Sequence, residues 1–170
     1  MKKIITLLLA ALMLVSLCAC GDDGSADPTT PQGPTPNENG FVLNYKGQQL
    51  RIHADFAPIL AALGQPVTYN ESSSCAFDGL DKTYYYGNLY IDTYPVGDKD
   101  YIYDFWFADD SISTAEGIYI GATKAQVEAA YGTECFNGNN AYIITKADES
   151  LTIILEDGVV TSIQYSLVLG

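Results

Sequence analysis

Positive charge is scarce in this chain. Eight Lys and Arg stand against 21 Asp and Glu over 170 residues, a formal net charge of −13. A surface of that sign repels phosphate, which argues against nucleic acid as a partner and against direct docking on anionic lipid head groups. Histidine is scarcer still: His53 stands alone at a predicted strand end, with no cysteine near it and with Asp55 better used as a helix cap. Glycine-rich phosphate loops are missing, and Ser72-Ser73-Ser74 lacks the setting of a nucleophile elbow and reads as loop. Asp98, Asp100 and Asp104 alternate as the oxygen ligands of a calcium loop do. However, no Gly or closing Glu falls at the required spacing, and Asp104 sits in a strand pattern. Neither metal, cofactor nor catalysis is expected.

What is present begins with a secretion signal. Lys2 and Lys3 give a positive start, and Ile4 to Val15 form an apolar run too short to span a bilayer comfortably. Leu17-Cys18-Ala19-Cys20 follows. Leu, two small residues and Cys in that order resemble the lipobox of bacterial lipoproteins. That resemblance implies a diacylglyceryl group on Cys20, further acylation such as palmitate, and cleavage that leaves Cys20 as the N-terminus. Two acyl chains suffice for stable anchoring, at about 0.8 kcal/mol per buried methylene. Loss of residues 1–19 removes two lysines and no acid, taking the formal charge to −15. The expected location is extracytoplasmic, held at the membrane by lipid.

Gly21 to Gly40 contains no aromatic residue, no aliphatic one beyond Ala26, and four of the seven prolines. It reads as a disordered tether, about 20 residues with a reach of roughly 60 Å. Residues 41–170 are enough for a domain with a real core. Of the four cysteines, Cys18 leaves with the signal and Cys20 carries lipid, so Cys75 and Cys135 remain in a compartment that permits oxidation. Their spacing fits no metal site. A Cys75–Cys135 disulfide is the expectation, with two separate buried thiols as the alternative.

The domain carries an internal repeat without gaps. Leu50 to Gly64 aligns with Ile118 to Gly132, with six of fifteen positions identical. Asp55 and Thr123 are both N-cap types, Thr123 with Gln126 makes a capping box, and Gly64 and Gly132 end the two predicted helices. Alternating patterns then predict strands at Thr83–Tyr86, Leu89–Tyr94 and Tyr101–Phe107, and again at Ala141–Thr145, Leu151–Leu155 and Val159–Tyr165. A leading hairpin is expected over Phe41–Ile52, turning at Lys46-Gly47. The resulting expectation is an α+β fold of two tandem helix-plus-three-stranded meander units, 41–117 and 118–170, sharing one antiparallel sheet with helices on one face.

The Gly121 to Gly132 stretch and its weaker copy ending at Leu63-Gly64-Gln65-Pro66 resemble the tandem modules of the beta-lactamase-inhibitor-protein-like fold and of BamE-like outer-membrane lipoproteins. Ser74 to Lys82 is similar to a segment of uncharacterised Firmicutes lipoproteins. The resemblance implies protein binding or an unknown role, and no site residue carries over by motif.

Aromatic residues are the abundant feature, with thirteen tyrosines, many between 84 and 103. Aligning the two halves sets Leu89, Ile91, Thr93, Tyr101, Tyr103, Phe105 and Phe107 toward the core. Tyr90, Asp92, Tyr94, Ile102, Asp104 and Trp106 then share the open face, aromatics around two carboxylates. Such a face suits recognition of a protein partner or, alternatively, capture of a sugar or peptide; tyrosine also simply fits strands. The reading is therefore a non-catalytic, membrane-anchored lipoprotein that binds a protein partner through this face, with small-ligand binding as the alternative.

Overall fold

A computed structural model describes residues 33–169. The signal, its lipobox and Cys20 lie outside the described residues. The elements run β1 (Leu43–Tyr45), β2 (Gln48–Leu50), α1 (Phe56–Leu63), β3 (Thr68–Ser73), β4 (Leu80–Tyr85), β5 (Leu89–Val96), β6 (Lys99–Phe107), α2 (Lys124–Tyr131), β7 (Ala141–Lys146), β8 (Glu149–Glu156) and β9 (Val159–Leu167). The hairpin β1–β2 turns at Lys46-Gly47, both at positive φ, as a two-residue turn of type I′ requires.

The expected α+β fold of two helix-plus-three-stranded meander units is corrected. Strand and bridge residues make up 45% of the described residues, and the only two helices among them have eight residues each. One antiparallel sheet of seven strands, in the order β3-β4-β5-β6-β9-β8-β7, dominates beside the β1–β2 hairpin. The first half contributes four strands to it rather than three. The additional one, β3, has the sequence TYNESS and is exposed throughout, so no apolar alternation announced it. Ser72 and Ser73, read as loop, belong to it.

The core lies on one face of the sheet. Phe56 and Ile59 of α1, Val127 of α2 and Leu43, Tyr45 and Leu50 of the hairpin pack with Leu89, Ile91, Phe105, Leu151, Ile153, Ile163 and Tyr165. Phe56 meets Tyr84 at 4.6 Å between ring centroids. Burial of side chains of this size contributes about 1.5–3 kcal/mol each. Both helices start as their residues dictate. Asp55 accepts from the Ala57 N–H at 3.1 Å, and Thr123 and Gln126 close a reciprocal capping box. Each helix is also stitched to the sheet at its start. Ala54 O accepts from Ile102 N–H at 3.0 Å, and Ala122 O accepts from Val160 N–H at 2.8 Å.

Those two stitches meet the sheet at matching irregularities. Between β5 and β6 the register shifts after Asp92, so that Asp92 opposes Asp104 but Thr93 opposes Ile102. Tyr103 is the extra residue of this β-bulge. Between β8 and β9 the shift follows Ile154, with Thr161 extra. A bulge advances one strand by a residue and so exchanges its faces from there on.

The end of the segment expected to be a free tether lies on the domain. Gly33 sits so close to the Tyr101 ring that an added Cβ would collide with it, and Phe41 N–H donates to the buried Glu149 carboxylate at 2.7 Å. Burial raises the Glu149 pKa, the Phe41 bond opposing it.

Candidate functional site

The uncovered face of the sheet carries two rows of side chains set by strand register. The first runs Tyr85, Tyr90, Trp106 and on into Gln164, Thr152 and Ile143. Its aromatics are stacked. Tyr85 and Tyr90 lie 4.3 Å apart at 24°, and Tyr90 and Trp106 lie 4.6 Å apart at 7°. Both faces of the Tyr90 ring are thereby occupied by neighbours, and the stack turns ring edges outward. Stacked pairs of this kind are worth about 0.5–1.5 kcal/mol beyond their burial.

The second row runs Thr83, Asp92, Asp104 and on into Ser166, Ser150 and Thr145. Asp92 and Asp104 are directly opposite, the position where like charges on neighbouring strands destabilise most. Burial pushes the Asp92 carboxyl up to about 6, against a hydrogen bond from Thr83, with Asp81 adding repulsion. Burial likewise pushes Asp104, which is 5% exposed, up to about 7, against the hydrogen bond donated by Gln164 and with Asp92 adding repulsion. Oδ1 of Asp81, Asp92 and Asp104 has no partner among the described residues. Lysine is absent from both rows. Lys82 is committed to Asp100 at 2.6 Å and Lys99 to Asp55 at 2.7 Å.

A second aromatic group closes the far side of the carboxylate row. Phe77 stacks on Tyr94 at 4.2 Å, with Tyr103 and Tyr101 about them. Tyr94, expected to be open, is 4% exposed, covered by Phe77 and bonded through its hydroxyl to His53 Nδ1 at 2.8 Å. His53 Nε2 meets Asp148 at 2.9 Å, and that bond holds the Asp148 carboxyl below its ordinary range. With both ring nitrogens engaged, His53 cross-links β5 to the β7–β8 turn.

The chain matches no protein-family model, and no curated protein matches it. Among solved structures it is similar to an extracellular protein containing an SCP domain from Bacillus anthracis strain Ames. The two are 12% identical with a TM-score of 0.43, over 81% of this chain and 49% of that one. This chain thus spans about half the length of that protein, and a likeness at that level carries no argument.

Of the six residues placed on the open face from sequence, Tyr90, Asp92, Asp104 and Trp106 are brought together there, with Tyr94 at the covered edge of the group. Ile102 is not. The bulge at Tyr103 turns Ile102 into the core, 0% exposed against Thr93, and places Tyr101 and Tyr103, expected inside, on the opposite side. Tyr85, overlooked from sequence, completes the aromatic stack.

The Cys75–Cys135 disulfide is also corrected: both are free thiols. Cys75 follows β3 and Cys135 precedes β7, the two edge strands of a seven-stranded sheet, whose strands lie about 4.8 Å apart. No bridge spans six such spacings. Asp98, Asp100 and Asp104 do not converge either, since Asp100 bonds Lys82 while Asp104 bonds Gln164.

Proposed function

We propose that the protein is an extracytoplasmic lipoprotein, anchored through lipid on Cys20, whose uncovered sheet face binds a protein partner. The Tyr85–Tyr90–Trp106 stack beside the carboxylate row carries this reading. Aromatics rimmed by polar side chains are the composition of recognition hot spots. For the sugar alternative, the stack leaves Tyr90 no open ring face, so only the outer faces of Tyr85 and Trp106 remain for stacking. The pocket of about 320 Å³ beside β3 is lined by Leu60, Gln65, Pro66, Tyr69 and Tyr84, away from Trp106.

Two experiments test the two parts. With Tyr90→Ala/Trp106→Ala, capture of the partner by the lipidated protein in its own cells should weaken by about thirtyfold, the size of a hot spot of roughly 2 kcal/mol. Stability should fall by about 3–4 kcal/mol, from two lost stacking contacts and the half-burial of two rings, so capture is compared at a temperature where both proteins are folded. Undiminished capture by the double variant would remove the face from the reading. For the anchor, Cys20→Ala should release the processed domain from the membrane fraction. A correctly processed variant that still sediments with membranes as firmly as the parent would show that lipid on Cys20 is not what holds it.

A further inference from the structure

The two ends of the seven-stranded sheet are finished differently. The outer edge of β7 is sealed by the connection that follows α2. Ile143 N–H donates to Cys135 O at 2.9 Å, Asn137 N–H donates to Ala141 O at 2.9 Å, and Phe136 bridges Tyr142 with its ring 5.0 Å away. At the other end, no described segment pairs with the outer edge of β3. Its orientation follows from one bond. Ser74 N–H donates to Gly79 O at 3.0 Å, in register with the β3–β4 ladder, so the bonds toward β4 fall to Ser74, Ser72, Asn70 and Thr68. The backbone groups of Tyr69, Glu71 and Ser73 therefore point outward.

Edge strands of this kind are normally blunted by proline, lysine, a bulge or a covering segment. In β3 there is no proline or lysine, its ladder with β4 is regular over six residues, and all six are exposed. Apolar surface lies alongside: Val67 is 72% exposed, and the pocket formed by Leu60, Pro66, Tyr69 and Tyr84 opens next to the strand. Glu71, at the centre of the edge, bonds the Tyr69 hydroxyl and forms no ion pair among the described residues. A second copy is a poor occupant, because it would bring Glu71 toward its own equivalent and, for the chain from Cys20 onward, add another net charge of −15.

We propose that the outer edge of β3 is a strand-addition site for an extended segment of another protein, with an apolar side chain in the pocket beside Tyr69 and a Lys or Arg near Glu71. Main-chain bonds to Tyr69, Glu71 and Ser73 supply affinity, and the pocket and Glu71 choose the sequence. The site is separate from the aromatic face, so it stands or falls without it.

A randomised display library of ten-residue peptides, selected on the intact chain from Cys20 onward, is the probe. Enriched peptides should alternate apolar residues with at least one Lys or Arg, and on binding should slow exchange of the Tyr69, Glu71 and Ser73 amides. Glu71→Pro removes an outward N–H and no ladder bond, so it should weaken binding at least tenfold, whereas Glu71→Gln should weaken it only several-fold. N-methylation of the peptide amides facing β3 should act like Glu71→Pro, and this needs no protein variant. Three results overturn the proposal: no peptide enriches, the bound peptides protect other amides, or the chain self-associates in a way that Glu71→Pro dissolves.

Discussion

Raising the pH from 4 to 8 should lower the melting temperature of this domain by about 10 °C. The source is the Asp92–Asp104 pair. Both carboxyls are raised in the folded protein, to about 6 and about 7 from an ordinary 3.8, chiefly by burial. A group raised on folding binds its proton more tightly in the folded state. Its contribution to stability is complete below pH 3.8 and is lost as pH climbs through the folded value. For Asp104 alone, a rise from 3.8 to about 7 corresponds to about 4 kcal/mol, and a domain of this size shifts by roughly 3 °C per kcal/mol. Facing this pair are Asp81 of β4, which adds repulsion, the Thr83 and Gln164 hydrogen bonds, which oppose the rise, and Tyr103. Asp55, Asp109 and Asp148 are lowered on folding and act in the other direction, so stability should also fall below about pH 3.8. The optimum is therefore acidic. Asp104→Asn keeps an acceptor for Gln164 while removing the charge, and should flatten the profile between pH 4 and 8. A melting temperature that holds or rises from pH 4.5 to 8 in the parent would show that the pair ionises freely.

The register that creates this pair was only half legible. Alternation in Leu89–Tyr94 and in Asp104–Phe107 put Tyr90, Asp92, Asp104 and Trp106 on one face correctly, because each run has an unbroken period of two. It did not say that Asp92 would stand opposite Asp104, since pairing depends on the turn at Gly97-Asp98 and on the bulge. The helix boundaries were readable from Asp55, Thr123, Gly64 and Gly132, whose side chains or lack of them satisfy end groups locally. Strand β3 was not, because an edge strand exposed on both faces needs no apolar alternation. The disulfide expectation failed for a topological reason: equivalent connections in the two halves emerge at opposite edges of one sheet. The bulge itself left a trace. Ile102 and Val160 are β-branched aliphatics at equivalent positions in the two halves, on a face otherwise given to polar and aromatic residues. The repeated misfit marked the place where the strands change faces.

The bulge makes a prediction that simple alternation reverses. Ile102→Ala should destabilise the domain by about 3 kcal/mol, because Ile102 is fully buried against Thr93 and its truncation leaves a cavity that a sheet and helix start cannot close. Tyr103→Ala should cost about 1 kcal/mol, since Tyr103 is the unpaired residue of the bulge and is half-buried over the carboxylate row. Without a bulge, Tyr103 would alternate into the core with Phe105, Ile102 would face water, and the two costs would exchange. The second half supplies an independent copy of the comparison. Val160 is 1% exposed and Thr161 is exposed as the extra residue of the β8–β9 bulge, so Val160→Ala should cost more than Thr161→Ala. Ile102 and Val160 also hold the backbone bonds to Ala54 and Ala122 that fix the start of each helix. Side-chain truncation leaves those bonds in place, so the expected loss is a packing loss and should appear in denaturant midpoints without a change in slope. Should Tyr103→Ala prove the more damaging of the first pair, the strand does not change faces at Tyr103. The separation of Ile102 from the aromatic face would then be wrong.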